Sequence, residues 1–231
     1  MSAQEVLISG KSSFKIEVPY KLIETGTKGE KPLIVYLHGY KQNIKIFKSL
    51  VEGMMELDAY HLFIQGPYPV YDETRKVNVS KWGRAWYLYD GKRGQFAKSL
   101  EVTSEFIQEI IEGLFNVIKI NKVCLFGYSM GGYQAGYFAL SRWKHVSEAI
   151  IVGARIKTEL FDDKLDQAKH IKVLALHGKD DTNVYPQPQK KEIEKLKKVG
   201  FLADFIEVQE GHKLTKPFID ESINWLKKAG Y

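Results

Sequence analysis

The sequence has few of the residues that mark disulfide-bonded, metal-binding or nucleotide-binding proteins. Its 231 residues include one cysteine, Cys124, so no disulfide can form within the chain. The six histidines are scattered, and no H-E-x-x-H or comparable ligand spacing occurs, which argues against a metal-dependent hydrolase. Glycine patterns of a dinucleotide-binding fold or a P-loop are also missing. We therefore expect no metal and no cofactor.

Long apolar runs are missing as well. No stretch of the sequence is long enough to span a bilayer, and residues 1–10 lack the basic start and apolar run of a signal peptide. These absences predict a cytoplasmic protein without stable membrane insertion. The net charge is +6, but the strongest basic run, 190–198, mixes Lys with Glu and apolar residues, as the solvated face of an amphipathic helix does. Since no recognition motif accompanies the charge, nucleic acid is not an expected partner.

Apolar runs and helical patterns alternate along the chain. The predicted strands cover 14–20, 33–37, 61–65, 122–126, 148–152, 172–176 and 203–208, and the predicted helices cover 44–57, 99–118, 133–140, 189–199 and 217–228. Such alternation predicts an α/β fold with a mostly parallel central sheet and helices on both faces. No linker or repeat is visible, so we expect a single domain over residues 1–231. The stretch 153–170 is too short for a large cap domain.

Residues 127–132, Gly-Tyr-Ser-Met-Gly-Gly, carry the main functional signal. They have the form G-x-S-x-G, follow an apolar run and precede a predicted helix. Strand, sharp turn and helix are the context of a nucleophile elbow, in which small residues flank a serine on a strained turn. This pattern predicts Ser129 as a nucleophile. The alternative is a serine that only caps the following helix.

A serine nucleophile needs a base that takes its proton and a third group that orients the base. After a nucleophile elbow, the chain order is serine, then Asp or Glu, then histidine. Two histidines precede Ser129, two follow it without an intervening carboxylate at a strand end, and His177 precedes the best acids. His212, in the loop after the last predicted strand, is the base that remains.

The candidate acids follow the predicted strand 172–176, at the sheet edge where α/β proteins place their sites. Asp180 and Asp181 are adjacent there, and spacing alone does not choose between them. Asp204 is a weaker candidate because it falls within a strand pattern.

An oxyanion hole would need two backbone N–H groups. We expect them from Met130, at the start of a helix, and from Tyr40, in the loop after strand 33–37.

The longest irregular stretch, 66–94, is rich in aromatic residues, and long loops in compact domains are usually functional. Trp82, Trp86 and Tyr87 could offer apolar contact area to a substrate. The alternatives are packing within the core or the loop, or a dimer interface, so a homodimer stays open.

With these motifs in place, the chain resembles the α/β-hydrolase superfamily and, more narrowly, the phospholipase/carboxylesterase family, which includes acyl-protein thioesterases. The resemblance runs from about Leu33 to the C-terminus. It is carried by Leu-His-Gly at 37–39, the elbow at 127–132, His-Gly at 177–178 and Gly-His at 211–212. In that family the acid stands four residues after the strand-ending His, with a Val three residues further on, which selects Asp181. The segment 83–87 is similar to a family segment that lines the substrate pocket. Departures are Tyr40 after the oxyanion His-Gly and Tyr185 before Pro186.

Members of this family are small serine esterases that need no cofactor. The resemblance therefore implies cleavage of small-molecule carboxylic esters with short to medium acyl chains, through an acyl-enzyme on Ser129. An acyl-protein thioesterase or a lysophospholipase would use the same three residues. A peptidase of the superfamily would usually carry a gating domain, for which this chain has no room. A non-catalytic binding module on a hydrolase fold is the remaining alternative.

Overall fold

The structure, a computed structural model, describes residues 10, 12, 15–161 and 164–231. Seven strands form the central sheet in the order β1-β3-β2-β6-β7-β8-β9. Only β1 pairs antiparallel to its neighbour; the other pairs are parallel. The strands are β1 (Tyr20–Glu24), β2 (Lys31–Leu37), β3 (Tyr60–Ile64), β6 (Ile120–Tyr128), β7 (Glu148–Val152), β8 (Lys172–Gly178) and β9 (Ala203–Val208), and β4 (Tyr68–Pro69) pairs with β5 (Arg84–Ala85) in a separate hairpin.

Helices cover both faces of the sheet, as the alternation of strands and helices predicts. They are α1 (Ile44–Leu50), α2 (Arg93–Phe115), α3 (Met130–Ser141), α4 (Leu165–Ala168), α5 (Pro186–Val199) and α6 (Lys216–Lys228). Alternate residues of β2 enter different cores: Leu33 and Val35 pack with α2, α3 and α5, whereas Ile34 and Tyr36 pack with α1 and α6. A strand buried on both faces explains why residues 33–37 form a continuous apolar run.

Several predicted elements differ from the structure in their bounds. The helix predicted at 99–118 covers Arg93–Phe115. The strand predicted at 14–20 is wrong in its bounds: residues 15–19 are not in a strand, β1 begins at Tyr20, and position 14 lies outside the described residues. Tyr20 pairs with Ile64, where β3 ends, so residues before Tyr20 have no strand beside them. The helix predicted at 44–57 ends at Leu50 and continues as the 3₁₀ turn Glu52–Glu56, which contains Gly53, a poor helix former.

The connection between β7 and β8 stays short. In the part of it that the structure describes, it holds a 3₁₀ turn, Thr158–Leu160, and the four-residue helix α4, so no large cap is present there. Among the described helices, none has the length and apolar character needed to cross a membrane. The carboxyl ends of β2, β6, β7 and β8 are therefore left open at one edge of the sheet, where a site can form.

Candidate active site

Ser129 sits at the turn between β6 and α3 with φ 51° and ψ −117°, a left-handed conformation that is costly for a serine. Its N–H donates to Val152 O over 2.8 Å, which ties the turn to β7. A Cβ atom at Gly127 would collide with Gly131 O, and one at Gly131 would collide with Leu37 O. The hydroxyl makes no capping hydrogen bond to α3, so a helix-cap role does not account for this serine.

Three side chains form a hydrogen-bonded chain at the turn. Ser129 Oγ lies 2.9 Å from His212 Nε2, and His212 Nδ1 lies 2.7 Å from Asp181 Oδ2. A carboxylate can only accept, so Nδ1 carries the hydrogen and Nε2 is left to accept from the serine hydroxyl. The Asp181 side chain is buried, whereas that of His212 is 15% exposed. The imidazole therefore faces a carboxylate on the protein side and a reachable hydroxyl on the other.

The structure brings Asp181 to the imidazole and leaves Asp180 outside. Oδ1 of Asp181 also accepts from the N–H groups of Asn183 and Val184, each over 2.9 Å. Asp180 is exposed, and its carboxylate accepts from Gln209 Nε2 over 2.6 Å. The two backbone hydrogen bonds to Oδ1 fix the carboxylate so that Oδ2 faces His212.

The loop after β2 is clamped beside the turn by His38. Its Nδ1 donates to Gly39 O over 2.7 Å, and its Nε2 accepts from Gly66 N over 3.0 Å. Burial lowers the pKa of His38 to about 4, so the ring stays neutral and keeps this bonding pattern at neutral pH. Gly39 N donates to Gln42 Oε1 over 2.8 Å, which closes the loop. His38 is thus a structural residue of the loop rather than a proton carrier.

The two backbone N–H groups predicted for an oxyanion hole are both free to bind. Met130 is the first residue of α3, where N–H groups lack intrahelical partners and the helix dipole is positive. In the described part of the chain, neither Met130 N nor Tyr40 N donates to a protein acceptor. Gly131 packs against Leu37 O, so the Tyr40 loop and the start of α3 lie side by side.

Residues 18–229 match the sequence profile of the family described as phospholipase/carboxylesterase. The chain belongs to the phospholipase/carboxylesterase family. Membership makes it an α/β hydrolase of the esterase and thioesterase class, as the motifs predict. No curated protein sequence matches this family member.

Solved structures share the fold of this family member at low sequence identity. Esterase PE8 is 19% identical with a TM-score of 0.74, covering 92% of this chain and 99% of its own. A carboxylesterase from Mesorhizobium loti is 19% identical with a TM-score of 0.73, covering 93% and 95%. Acyl-protein thioesterase 2 of Zea mays is 20% identical with a TM-score of 0.66, covering 91% and 98%. These likenesses confirm the α/β-hydrolase fold and do not separate esters from thioesters.

The three aromatic residues predicted to contact substrate lie in different surroundings. Trp86 is 0% exposed, and its Nε1 donates to His38 O over 2.7 Å. The prediction that Trp86 faces substrate is therefore corrected: its indole supports the loop after β2 from the core. Trp82 packs edge-on against Tyr71 with ring centroids 5.2 Å apart, within the 66–94 segment. Tyr87 lines a cavity.

That cavity has a volume of about 440 Å³ and combines aromatic and charged side chains. One of its lining residues, Tyr133, stands four residues after Ser129, and its N–H donates to Ser129 O. The lining residues come from the segment before and at the start of α2, from α3, and from the segment after β7: Tyr87, Tyr89, Gly91, Arg93, Phe96, Tyr133, Lys157, Glu159 and Leu160. We call this space the acyl-side cavity.

Sequence patterns missed Tyr128 and His177 at the site, and Tyr133 and Lys157 in the cavity. Tyr128 donates its hydroxyl to His212 O, and His177 Nε2 donates to Val184 O over 2.8 Å, which steadies the Asp181 loop. Tyr133 could have been found, since it stands four residues after Ser129 on a helix. The partners of Tyr128 and Lys157 come from distant parts of the chain, and no local signal marks them.

Proposed function

We propose that this phospholipase/carboxylesterase family member is a serine hydrolase that cleaves carboxylic esters with short to medium acyl chains through an acyl-enzyme on Ser129. The observation that carries the proposal is the chain of hydrogen bonds from Ser129 through His212 to the buried Asp181. Nucleophile, base and orienting group in this order are what acyl transfer to serine requires.

In the first step, His212 Nε2 removes the hydroxyl proton as Ser129 Oγ attacks the ester carbonyl. Charge that develops on the carbonyl oxygen is stabilised by the N–H groups of Met130 and Tyr40, each worth about 3 kcal/mol in the transition state. The imidazolium that forms is paired with Asp181, which stays ionised and keeps the ring in place. His212 then protonates the leaving alcohol, and the acyl group remains on the serine.

In the second step, water enters where the alcohol left. His212 takes its proton, the oxygen attacks the acyl-enzyme, and the acid product leaves as Ser129 recovers its hydrogen. The partial exposure of His212 supports this step, because water reaches the imidazole without a domain movement.

The size of the acyl-side cavity supports a short to medium acyl chain. A volume of about 440 Å³ with charged residues in its wall suits a compact substrate better than a long lipid chain. An acyl-protein thioesterase or a lysophospholipase would use the same three residues and is the second candidate. A binding module is disfavoured, since it would have no use for a strained serine bonded to a paired histidine.

Labelling with a fluorophosphonate probe, followed by intact-mass measurement, tests the nucleophile. We expect one adduct on the parent protein and none on Ser129→Ala or His212→Ala. An unlabelled parent protein would refute the serine hydrolase. Oxygen esters and thioesters of two to sixteen carbons, compared at equal concentration, then separate the two candidates: a peak at short oxygen esters supports the esterase, and a peak at long-chain thioesters supports the thioesterase.

A further inference from the structure

The acyl-side cavity holds an ammonium group that the proposed mechanism does not use. Lys157 Nζ lies 5.8 Å from the centre of the Tyr133 ring and 5.9 Å from that of Phe96. Its side chain is 24% exposed, so the ammonium is partly withdrawn from water between two aromatic walls. A cation placed in this way is accessible to a bound molecule and screened less than one on the open surface.

Lys157 is only weakly paired within the protein. Its nearest carboxylate oxygen is Glu159 Oε1 at 3.7 Å, beyond hydrogen-bond distance. The same oxygen is bonded more closely by Arg155, whose other nitrogen, Nη1, lies 3.6 Å from Glu192 Oε1. Glu159 is therefore largely neutralised by Arg155, and the hydrogen-bonding capacity of the Lys157 ammonium is left for a ligand.

The segment that carries Lys157 begins beside the histidine of the site. A Cβ atom at Gly153 would lie 3.5 Å from His212 Cε1, and Lys157 follows four residues later. From the other side, Tyr133 lines the cavity and stands four residues after Ser129, and its N–H donates to Ser129 O. Short stretches of chain therefore tie both Lys157 and Tyr133 to residues of the site.

The charges of the cavity wall favour a single negative charge. Two cations, Arg93 and Lys157, and one carboxylate, Glu159, line it, and Arg155 already pairs with that carboxylate. Arg93 donates to Glu159 O over 2.7 Å, so it is engaged at the rim, and Lys157 is the cation that faces the aromatic walls. Tyr87, Phe96 and Tyr133 would pack against an apolar chain between the carbonyl and the charge.

We propose that the acyl-side cavity selects esters whose acyl chain ends in a carboxylate, which the ammonium of Lys157 binds. The substrate class is then the monoesters of short dicarboxylic acids. The inference rests on the proposed function, because it takes the ester carbonyl to react at Ser129. Burial, followed by the charge of Arg155, lowers the pKa of Lys157, and an arriving carboxylate would offset both effects. A phosphate dianion is a poorer match to a single ammonium group.

Hydrolysis of matched esters tests this selection. The substrates are 4-nitrophenyl monoesters of succinate, glutarate and adipate, neutral straight-chain esters of equal length, and a phosphonate-ended ester. The variants are Lys157→Met, which keeps an apolar stem of similar length, Lys157→Arg, which keeps the charge, and Lys228→Met, an exposed lysine of α6, as control.

We expect kcat/KM of the parent protein to be about tenfold or more higher for the best carboxylate-ended ester than for its neutral partner. Lys157→Met should remove this preference, mainly by raising KM for the carboxylate-ended esters. Lys157→Arg should keep most of the preference, and Lys228→Met all of it. Equal rates on the two esters, or a preference for the phosphonate, would overturn the inference.

Binding to the inactive Ser129→Ala variant separates this inference from the proposed function. Titration calorimetry with monomethyl glutarate should show binding that the added Lys157→Met change weakens about tenfold. If that binding depends on Lys157 while no parent ester is hydrolysed, the hydrolase proposal fails and the cavity assignment stands. Binding that is undetectable or insensitive to Lys157 would contradict the assignment, whatever the parent protein hydrolyses.

Discussion

Tyr128 donates its phenolic hydroxyl to the backbone carbonyl of His212 over 3.0 Å, and its ring lies 5.6 Å from the imidazole, centre to centre. The residue before the candidate nucleophile thus holds the loop of the candidate base. Burial and then the charge of Asp181 raise the pKa of Tyr128 to about 12, so the hydroxyl keeps its proton at any working pH.

Replacing Tyr128 with Phe should remove this hydrogen bond and leave the ring in place. We expect kcat to fall about fivefold to tenfold, because a loop bond worth roughly 1 kcal/mol no longer restrains His212. KM should change little. Tyr137→Phe is the matched control: its hydroxyl donates to Glu101 Oε2 over 2.9 Å, away from the site. Should both variants lose the same activity, the effect of Tyr128 would be one of general stability.

Asp181 and Asp180 allow a sharp test of the orienting carboxylate. Asp181→Asn should lower kcat by about 10³- to 10⁴-fold, because the amide NH2 can donate to Nδ1 and favour the wrong tautomer, and a neutral amide stabilises the imidazolium less than a carboxylate does. Asp180→Asn should keep kcat within twofold, since Asp180 contacts Gln209 at the surface. Steady-state kinetics with a 4-nitrophenyl ester measures both. The reverse ranking would mean that Asp180 takes over the orienting role during turnover.

Replacing Gly131 tests the close contact between the turn at Ser129 and the loop after β2. A methyl group there would meet Leu37 O and His38 O, so Gly131→Ala should lower the free energy of unfolding by about 1–3 kcal/mol and also reduce kcat. Gly113→Ala, in the exposed last turn of α2, places its methyl group where nothing lies within 4 Å and should stabilise the protein by about 0.5–1 kcal/mol. Urea denaturation of both variants checks these signs. Equal stability of the two variants would disprove the close approach at Gly131.

The buried His61 should make the free energy of unfolding depend on pH. It accepts from Tyr36 O–H and contacts Thr25 Oγ1, at 2.8 and 2.9 Å, and burial lowers its pKa to about 4. In the unfolded chain His61 binds a proton below pH of about 6.5, whereas in the folded chain it does so only near pH 4. The contribution of neutral His61 to the free energy of unfolding is thus fully present above pH of about 6.5. It is lost as the pH falls towards 4, by about 3 kcal/mol in all.

The variant His61→Gln isolates this contribution. The slope of its unfolding free energy against pH, from urea denaturation between pH 6.5 and 4, should be smaller than that of the parent protein by about 1.4 kcal/mol per pH unit. Parallel curves for the two proteins would show that His61 takes up its proton at the same pH in both states.

The residues themselves determined the class of fold and the family. Continuous apolar runs such as 33–37 mark strands buried on both faces, and the glycines around Ser129 mark a turn where backbones touch, so local spacing was enough for both. The order of serine, acid and histidine along the chain predicted His212. The resemblance to the family, in which the acid stands four residues after a strand-ending His, predicted Asp181. Whether the two side chains meet could not follow from spacing, because 31 residues separate them and the sheet must bring two loops together.

Tertiary structure alone decided which aromatic and charged residues surround the site. Trp86 and Tyr87 are neighbours in the chain, yet one supports the His38 loop from the core and the other lines the cavity. Lys157 is one of many lysines in the sequence, and it is distinguished only by the rings of Phe96 and Tyr133, which α2 and α3 bring to it. The surroundings of a side chain depend on which elements pack against it. A sequence pattern shows whether a segment repeats as a helix or as a strand, but it does not show which other segments pack on it.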